Sequence, residues 1–203
     1  YATGRQSNTD SLNLENTSMQ MDERGFIKRD KFFETNAKGV YVVGDASGKH
    51  MLQHAAAYEI NHLGRILLED CKEPLHFKYM PHAVFTEPEI ASVGITEQKA
   101  KEKNIKYITS TTNWLASAKA MSTRLHYPVT KFLINPDNYE ILGCHMIGPE
   151  SSTMMHQVLA VMHINNDVRH IKEMLYIHPA LSEALLPAAV AAVKEVEKYN
   201  KKS

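Results

Sequence analysis

The chain has 203 residues, of which 43% are hydrophobic, and this is enough for a substantial core in one or two domains. Its 23 basic and 23 acidic side chains balance, so we expect neither nucleic acid nor an anionic membrane as a partner. The sequence has no apolar run of about 18 residues and no secretory pattern at its N-terminus, and its two cysteines, Cys71 and Cys144, are isolated, which is typical of a cytoplasmic protein without disulfides.

The first predicted domain, residues 1–70, has the order of elements found in a nucleotide-binding α/β layer. Residues 40–43 form a β-branched and aromatic run, which predicts a strand buried on both faces, as in a parallel sheet. Gly44 and Asp45 follow, and residues 54–69 have apolar positions at helical spacing. At this end of a strand a carboxylate can accept hydrogen bonds from sugar or polyol hydroxyls. Alternatively, Asp45 is a loop residue that caps the next helix.

Two weaker features of this domain are also compatible with ligand binding. Gly4, in the sequence ATGR, would let a ligand approach the backbone closely. The residues Met51, Leu52, Gln53 and His54 open the predicted helix, where exposed N–H groups favour a partial negative charge. His54 itself is either a functional group or a partly buried polar residue.

A proline-containing stretch predicts a linker over residues 71–80, followed by a second domain over residues 81–203. In this domain, predicted strands flank a turn at Glu87-Pro88 and a hairpin turn near residues 136–138. Residues 151–167 have helical spacing, and Thr96 and Asp167 are suitable N-caps. Strands grouped with flanking helices predict an α+β fold.

The most informative short motif is HPALSE, residues 178–183. Proline is well suited to the first position of a helix, so Pro179 is predicted to begin one, with His178 at its mouth and Glu183 about one turn inside. A carboxylate that accepts from one imidazole nitrogen fixes the tautomer and raises the basicity of the other nitrogen. This is an arrangement for acid–base catalysis. The alternative is an ordinary helix cap with an exposed glutamate.

No metal site is predicted. The histidines do not have a recognised zinc spacing, and no nearby cysteine completes one. Methionines at helical spacing are typical of core or interface packing; they are Met154, Met155, Met162 and Met174.

Taken in order, several segments resemble the C-terminal part of the flavin-dependent disulfide reductases, which include dihydrolipoamide dehydrogenase, glutathione reductase, mycothione reductase and mercuric reductase. The segments are YATGRQSNTDSLNLE, DERGFIKRDKFFETNAKGVYVVGDASG, MLQHAAAYE, HAVFTEPEIASVGITEQKA and HPALSE. The resemblance covers nearly the whole chain. It implies a C-terminal segment of an FAD-binding domain, followed by an α+β interface domain with an antiparallel sheet and flanking helices that forms a homodimer.

The resemblance also implies roles for particular residues. Asp45 would contact the FAD ribitol, the backbone from Met51 to His54 would lie beside the flavin, and Gly4 would approach the cofactor. His178 and Glu183 match the catalytic dyad of the family, in which the histidine reaches into the active site of the partner subunit. The intact enzyme would move electrons between NAD(P)H, FAD and a small dithiol or disulfide substrate, or a lipoyl domain.

Several alternatives remain within this interpretation. The first choice is a dihydrolipoamide dehydrogenase. The alternatives are a mycothione-, glutathione- or mercuric-reductase-like enzyme, or a non-catalytic dimerisation module. Since the chain lacks an initiator Met and the glycine and CxxxxC motifs of the family, we expect it to be a truncated segment, inactive alone and with little or no bound FAD. Ala180 and Ile60 depart from the usual Thr and Gly of the family.

Overall fold

The computed structural model describes residues 1–202, which divide into two compact units, Tyr1–Lys78 and a second unit that begins at Tyr79. The boundary lies within the stretch predicted as a linker. None of the helices in residues 1–202 is both long and apolar enough to cross a membrane.

The first unit contains one α-helix, α1 (Gln53–Leu68), and three short 3₁₀ turns at Asp10–Leu12, Leu14–Asn16 and Gly44–Ser47. Its small core consists of Leu14, Ile27 and Val42, with Met19 and Ala46 packed against them.

The predicted strand at residues 40–43 is wrong as an element of this structure. Tyr41 forms only an isolated bridge with Glu34, although Val42 is buried and the backbone at Val43 is extended. A strand requires a neighbour along its length, and the described residues provide only this one bridge.

The second unit is built on a five-stranded antiparallel sheet in the order β1-β2-β5-β4-β3. The strands are β1 (His82–Val84), β2 (Ile90–Gly94), β3 (Ile108–Asn113), β4 (Val129–Ile134) and β5 (Ile141–Ile147). The predicted turn at Glu87-Pro88 separates β1 from β2, and the predicted hairpin joins β4 to β5. The α+β prediction with an antiparallel sheet is therefore confirmed.

The helices of this unit are α2 (Glu97–Glu102), α3 (Ala118–Ser122), α4 (Ser151–Ile164), α5 (Val168–Glu173) and α6 (Leu185–Asn200), with a 3₁₀ turn at Leu181–Ala184. The predicted N-caps are confirmed, since Thr96 accepts from the Lys99 N–H and Asp167 accepts from the Arg169 N–H. Helix α3 is an element that the sequence pattern did not predict.

Most of the core lies between the sheet and two helices. Helix α6 contacts β3 and β4, whereas α4 contacts β2 and β5. The fully buried side chains that join these layers include Phe132, Val158, Met162, Ala189 and Val196. The methionines Met154, Met155 and Met162 belong to this core, which confirms their interpretation as packing residues.

Candidate active site

His178 and Glu183 are directly hydrogen-bonded. The distance between His178 Nδ1 and Glu183 Oε1 is 2.8 Å. The His178 side chain is 67% exposed, while that of Glu183 is 19% exposed. The imidazole therefore projects into solvent from a turn that holds its carboxylate partner close to the protein surface.

The turn that carries the pair differs from the prediction at its first residues. Pro179 does not begin a helix: the 3₁₀ turn starts at Leu181, and Ala180 is its N-cap with an extended backbone. Glu183 reaches back to this cap, because its Oε2 accepts from the Ala180 N–H at 2.8 Å and its own N–H donates to the Ala180 carbonyl at 3.3 Å. The glutamate half of a capping box is thus present, and Ala180 has no side-chain oxygen to supply the other half.

Two hydrogen bonds to Glu183 favour its ionised form. The Ala180 N–H and, next, the His178 ring hold the pKa of the Glu183 carboxyl below its ordinary value. An ionised carboxylate can only accept, so the proton between the two side chains lies on His178 Nδ1. In neutral His178 the lone pair is then on Nε2, which has no hydrogen-bond partner within residues 1–202. This nitrogen can accept a proton from a group that approaches from outside.

Apolar side chains precede the exposed imidazole. Leu175 and Ile177 are fully or largely exposed, with relative exposures of 101% and 81%. Between them, Tyr176 turns inward: its hydroxyl donates to the Ile171 carbonyl at 2.8 Å, and burial raises its pKa to about 12. The segment before His178 is therefore anchored by Tyr176, and it presents two apolar residues to solvent.

In the first unit, one arginine connects three of the predicted cofactor positions. Arg5, next to Gly4, donates from Nη1 to the Met51 carbonyl at 2.7 Å and lies 3.5 Å from Asp45 Oδ2. The Asp45 side chain remains 59% exposed. Asp45 lies within the 3₁₀ turn Gly44–Ser47 and does not cap α1, whose N-cap is Leu52.

The remaining predicted positions lie at the start of α1. Gln53 and His54 are its first two residues, and both are exposed. The interpretation of His54 as a partly buried residue is therefore wrong. The roles of Gly4, Asp45 and the segment Met51–His54 in cofactor binding stay predictions.

A buried ion pair that the sequence pattern did not predict lies behind the turn that carries Asp45. Glu59 is 2% exposed; its Oε1 accepts from Arg29 Nη2 at 2.5 Å, and its Oε2 accepts from the Gly44 N–H at 2.7 Å. Gly44 has a φ of 65°, and a Cβ there would lie 2.9 Å from the Ala56 Cβ. A signal was available in the sequence, since Glu59 lies one turn after Ala55 on the buried face of α1.

Neither cysteine lies in a recognisable reactive environment. Cys144 is completely buried and its pKa is raised by desolvation, while Cys71 is partly exposed. Within residues 1–202, no group of three or more His, Cys, Asp or Glu side chains is arranged to hold a metal ion.

Comparison with known families agrees with this architecture. The dimerisation domain of the pyridine nucleotide-disulphide oxidoreductases matches residues 80–189, and a second model, also described as pyridine nucleotide-disulphide oxidoreductase, matches residues 1–59. The chain belongs to the pyridine nucleotide-disulphide oxidoreductase family.

Individual relatives agree with the family assignment. The dihydrolipoyl dehydrogenase of Bacillus subtilis is 32% identical over 193 residues, covering 94% of this chain and 40% of that protein. The dihydrolipoyl dehydrogenase of Buchnera aphidicola subsp. Schizaphis graminum is 31% identical and covers 91% and 38%. The chain thus spans about two fifths of the length of the curated relatives it matches.

A solved structure has the same fold. The HOCl-induced flavoprotein disulfide reductase RclA from Escherichia coli superimposes with a TM-score of 0.88 at 26% identity, covering 93% of this chain and 44% of that one.

Proposed function

We propose that this chain supplies the interface domain and an FAD-domain segment of an FAD-dependent disulfide oxidoreductase. The enzyme moves electrons between NAD(P)H, FAD and a dithiol or disulfide, and its substrate is dihydrolipoamide. The names of the relatives at about 30% identity support this substrate.

The observation that carries the proposal is the hydrogen bond between His178 and Glu183. The carboxylate fixes the Nδ1–H tautomer, so Nε2 is an acceptor exposed to an approaching thiol. When Nε2 takes the thiol proton, the sulfur becomes the thiolate, which is the form that attacks disulfides. The positive charge formed on the ring then lies against the ionised Glu183.

The residues of the first unit fit an FAD molecule. Asp45 presents an exposed carboxylate, and the start of α1 has no side-chain cap on its N–H groups. Nothing lies within 4 Å of the position that a Cβ on Gly4 would occupy. Asp45 would hold the ribitol hydroxyls, and residues 51–54 would lie beside the flavin. When bound, FAD supplies the electron transfer; these residues only bind and orient it.

The partner is a second copy of the same chain. Leu175 and Ile177 expose apolar surface immediately before His178, and contact with another subunit would cover it while the imidazole enters that subunit's active site. The domain that matches residues 80–189 is described as a dimerisation domain, which supports this arrangement. A lipoyl domain is the proposed macromolecular substrate.

We also infer a cytoplasmic location. Cys71 and Cys144 are both free, and isolated free thiols are typical of a reducing compartment.

A chimera tests the proposed activity. Residues 1–203 replace the aligned stretch of the Bacillus subtilis dihydrolipoyl dehydrogenase, and NAD⁺-dependent dihydrolipoamide oxidation is measured with bound FAD quantified by absorbance. H178Q is compared with H126Q, which removes another exposed histidine of the same unit. We expect H126Q to keep its activity and H178Q to lose about 10²–10⁴-fold, the usual contribution of a general base.

Full activity in H178Q would favour the alternative that this chain contributes only a dimerisation module. If the chimera is dimeric and carries FAD, and H178Q is as active as H126Q, then the dyad has no part in the reaction.

A further inference from the structure

We propose that Ser117 is a positioning residue for the dyad: its hydroxyl holds the Ala180 carbonyl and thereby keeps Glu183 in hydrogen-bonding distance of His178. The inference rests on the proposed function for its catalytic meaning, but its geometry and its test do not require any activity.

The contact joins two parts of the second unit that are far apart in sequence. Ser117 Oγ donates to the Ala180 carbonyl at 3.1 Å, across 63 positions of the chain. Ser117 is 1% exposed, so water does not compete effectively for this carbonyl from its side. The same hydroxyl oxygen is the N-cap of α3, where it accepts from the Ala120 N–H at 3.4 Å.

Ala180 connects Ser117 to the dyad through both sides of its backbone. Its carbonyl accepts from Ser117 and from the Glu183 N–H, and its N–H donates to Glu183 Oε2. The other carboxylate oxygen of Glu183 accepts from His178 Nδ1. A shift of the Ala180 backbone would therefore move the carboxylate and lengthen its bond to His178.

The need for an outside anchor follows from the residue at the N-cap. Ala180 has no hydroxyl with which to accept from the Glu183 N–H, so this turn lacks half of the local capping that Ser or Thr would give. His178 and Pro179 are exposed and provide little packing. Ser117 does not replace that acceptor, but its hydroxyl fixes the Ala180 carbonyl from outside the turn.

Ser117 can act as an anchor because its own segment is attached to the sheet. Its N–H donates to the Trp114 carbonyl at 2.9 Å. Trp114 is 1% exposed, and its indole N–H donates to Thr130 Oγ1 on β4 at 2.9 Å. The position of Glu183 is in this way linked to β4, which is paired with β3 on one side and β5 on the other.

Two NMR measurements on the chain itself test the proposal. The ¹⁵N shifts of the His178 ring report the Nδ1–H tautomer, and the ¹³C shift of the Glu183 carboxyl reports its titration. In S117A we expect loss of the Nδ1–H tautomer signature and a Glu183 titration that moves upward toward the ordinary range of a glutamate. S117T keeps a hydroxyl donor and should restore both signals.

T96A is the matched control, because Thr96 is the N-cap of α2 and accepts from the Lys99 N–H at 3.2 Å. It removes a cap of the same kind elsewhere in this unit, and we expect it to leave both dyad signals unchanged. If S117A fails to fold, S117C keeps a side chain of similar shape with a weaker donor, and it should give the same changes in part.

A folded S117A or S117C whose His178 tautomer and Glu183 titration equal those of the wild type would overturn the proposal. The same two signals distinguish this failure from a failure of the proposed function. If S117A changes the signals but the H178Q chimera keeps its activity, then Ser117 does position Glu183, and only the catalytic role of His178 and Glu183 is rejected.

Discussion

The carboxylate of Glu59 and the guanidinium of Arg29 lie 2.5 Å apart, and their side chains are 2% and 5% exposed. The Arg29 guanidinium also stacks on the Phe33 ring, 4.6 Å from its centroid. Glu59 uses its second oxygen to hold the Gly44 N–H. The pair therefore fixes the turn that carries Asp45 against helix α1, and the predicted cofactor position depends on two residues that need not touch the cofactor.

Removing Arg29 should destabilise the first unit strongly. R29M leaves the buried Glu59 carboxylate without its cation, and breaking such a pair typically costs about 3–5 kcal/mol. We expect hydrogen exchange of the Gly44 amide and of α1 to become faster by a corresponding factor. K106M is the control: it breaks the exposed pair of Lys106 with Asp137, where about 0–1 kcal/mol is at stake. If R29M and K106M accelerated hydrogen exchange by the same factor, the buried pair would contribute no more to stability than the exposed pair.

Completing the cap before the dyad should stabilise the second unit. A180T introduces a hydroxyl that can accept from the Glu183 N–H, and a good N-cap contributes about 0.5–2 kcal/mol. A180V has nearly the same shape without the hydroxyl, so the difference between the two variants isolates the hydrogen bond. Urea unfolding, followed by the fluorescence of Trp114, measures it. A valine variant as stable as the threonine variant would contradict the expectation.

The dyad should make stability depend on acid pH. The pKa of Glu183 is lowered in the folded chain by the Ala180 N–H and then by His178, so the unfolded state binds the proton more readily. The stabilisation by Glu183 is thus fully present above its unfolded pKa and is lost as pH falls through the folded pKa. E183Q should flatten this acid dependence of the unfolding midpoint. E197Q, which removes an exposed carboxylate of α6, provides the comparison; an identical loss of slope in both variants would rule out a specific effect.

His145 should make a second contribution to the pH dependence of stability, at a higher pH than that of Glu183. It lies on β5, with Nδ1 3.0 Å from the Ser92 hydroxyl and Nε2 3.1 Å from the Ile95 carbonyl. Nε2 therefore donates, and Nδ1 accepts from Ser92. Burial lowers the pKa of this ring, so the neutral form stabilises the fold above the unfolded pKa, and this contribution is lost as pH falls through the folded pKa.

The variant H145Q removes this titration. Its unfolding midpoint should change less between neutral pH and about pH 5 than that of the wild type. H126Q, at an exposed histidine of the same unit, is the control. A wild-type midpoint that does not fall over this range would exclude His145 as an acid-sensitive group.

The elements that the sequence predicted well are those defined by local patterns. The β4–β5 hairpin, helix α4 and the caps at Thr96 and Asp167 follow from alternation, helical spacing and turn chemistry, all of which act over a few residues. The motif of His178 and Glu183 was also recognisable locally, because five positions separate the two side chains. The predicted helix start at Pro179 was wrong, because proline is suited to the first turn of a helix but does not by itself decide where that helix begins.

What local patterns could not predict depends on contacts between distant residues. Residues 40–43 have the composition of a buried strand, but strand formation requires a pairing neighbour that composition does not reveal. The position of Glu59 among apolar residues of α1 indicates burial, but its partners, Arg29 at 30 positions and the Gly44 N–H at 15 positions, are not evident from spacing. Ser117 lies 63 positions from Ala180.

The sequence by itself determined the class of the second unit, most of its elements and the proximity of His178 to Glu183, because these depend on residue types at short spacing. Only the tertiary structure decided that Glu59 is paired with Arg29 inside the first unit and that Ser117 contacts the Ala180 carbonyl. A buried polar group is stable only with a partner, and in both cases that partner comes from a distant part of the chain.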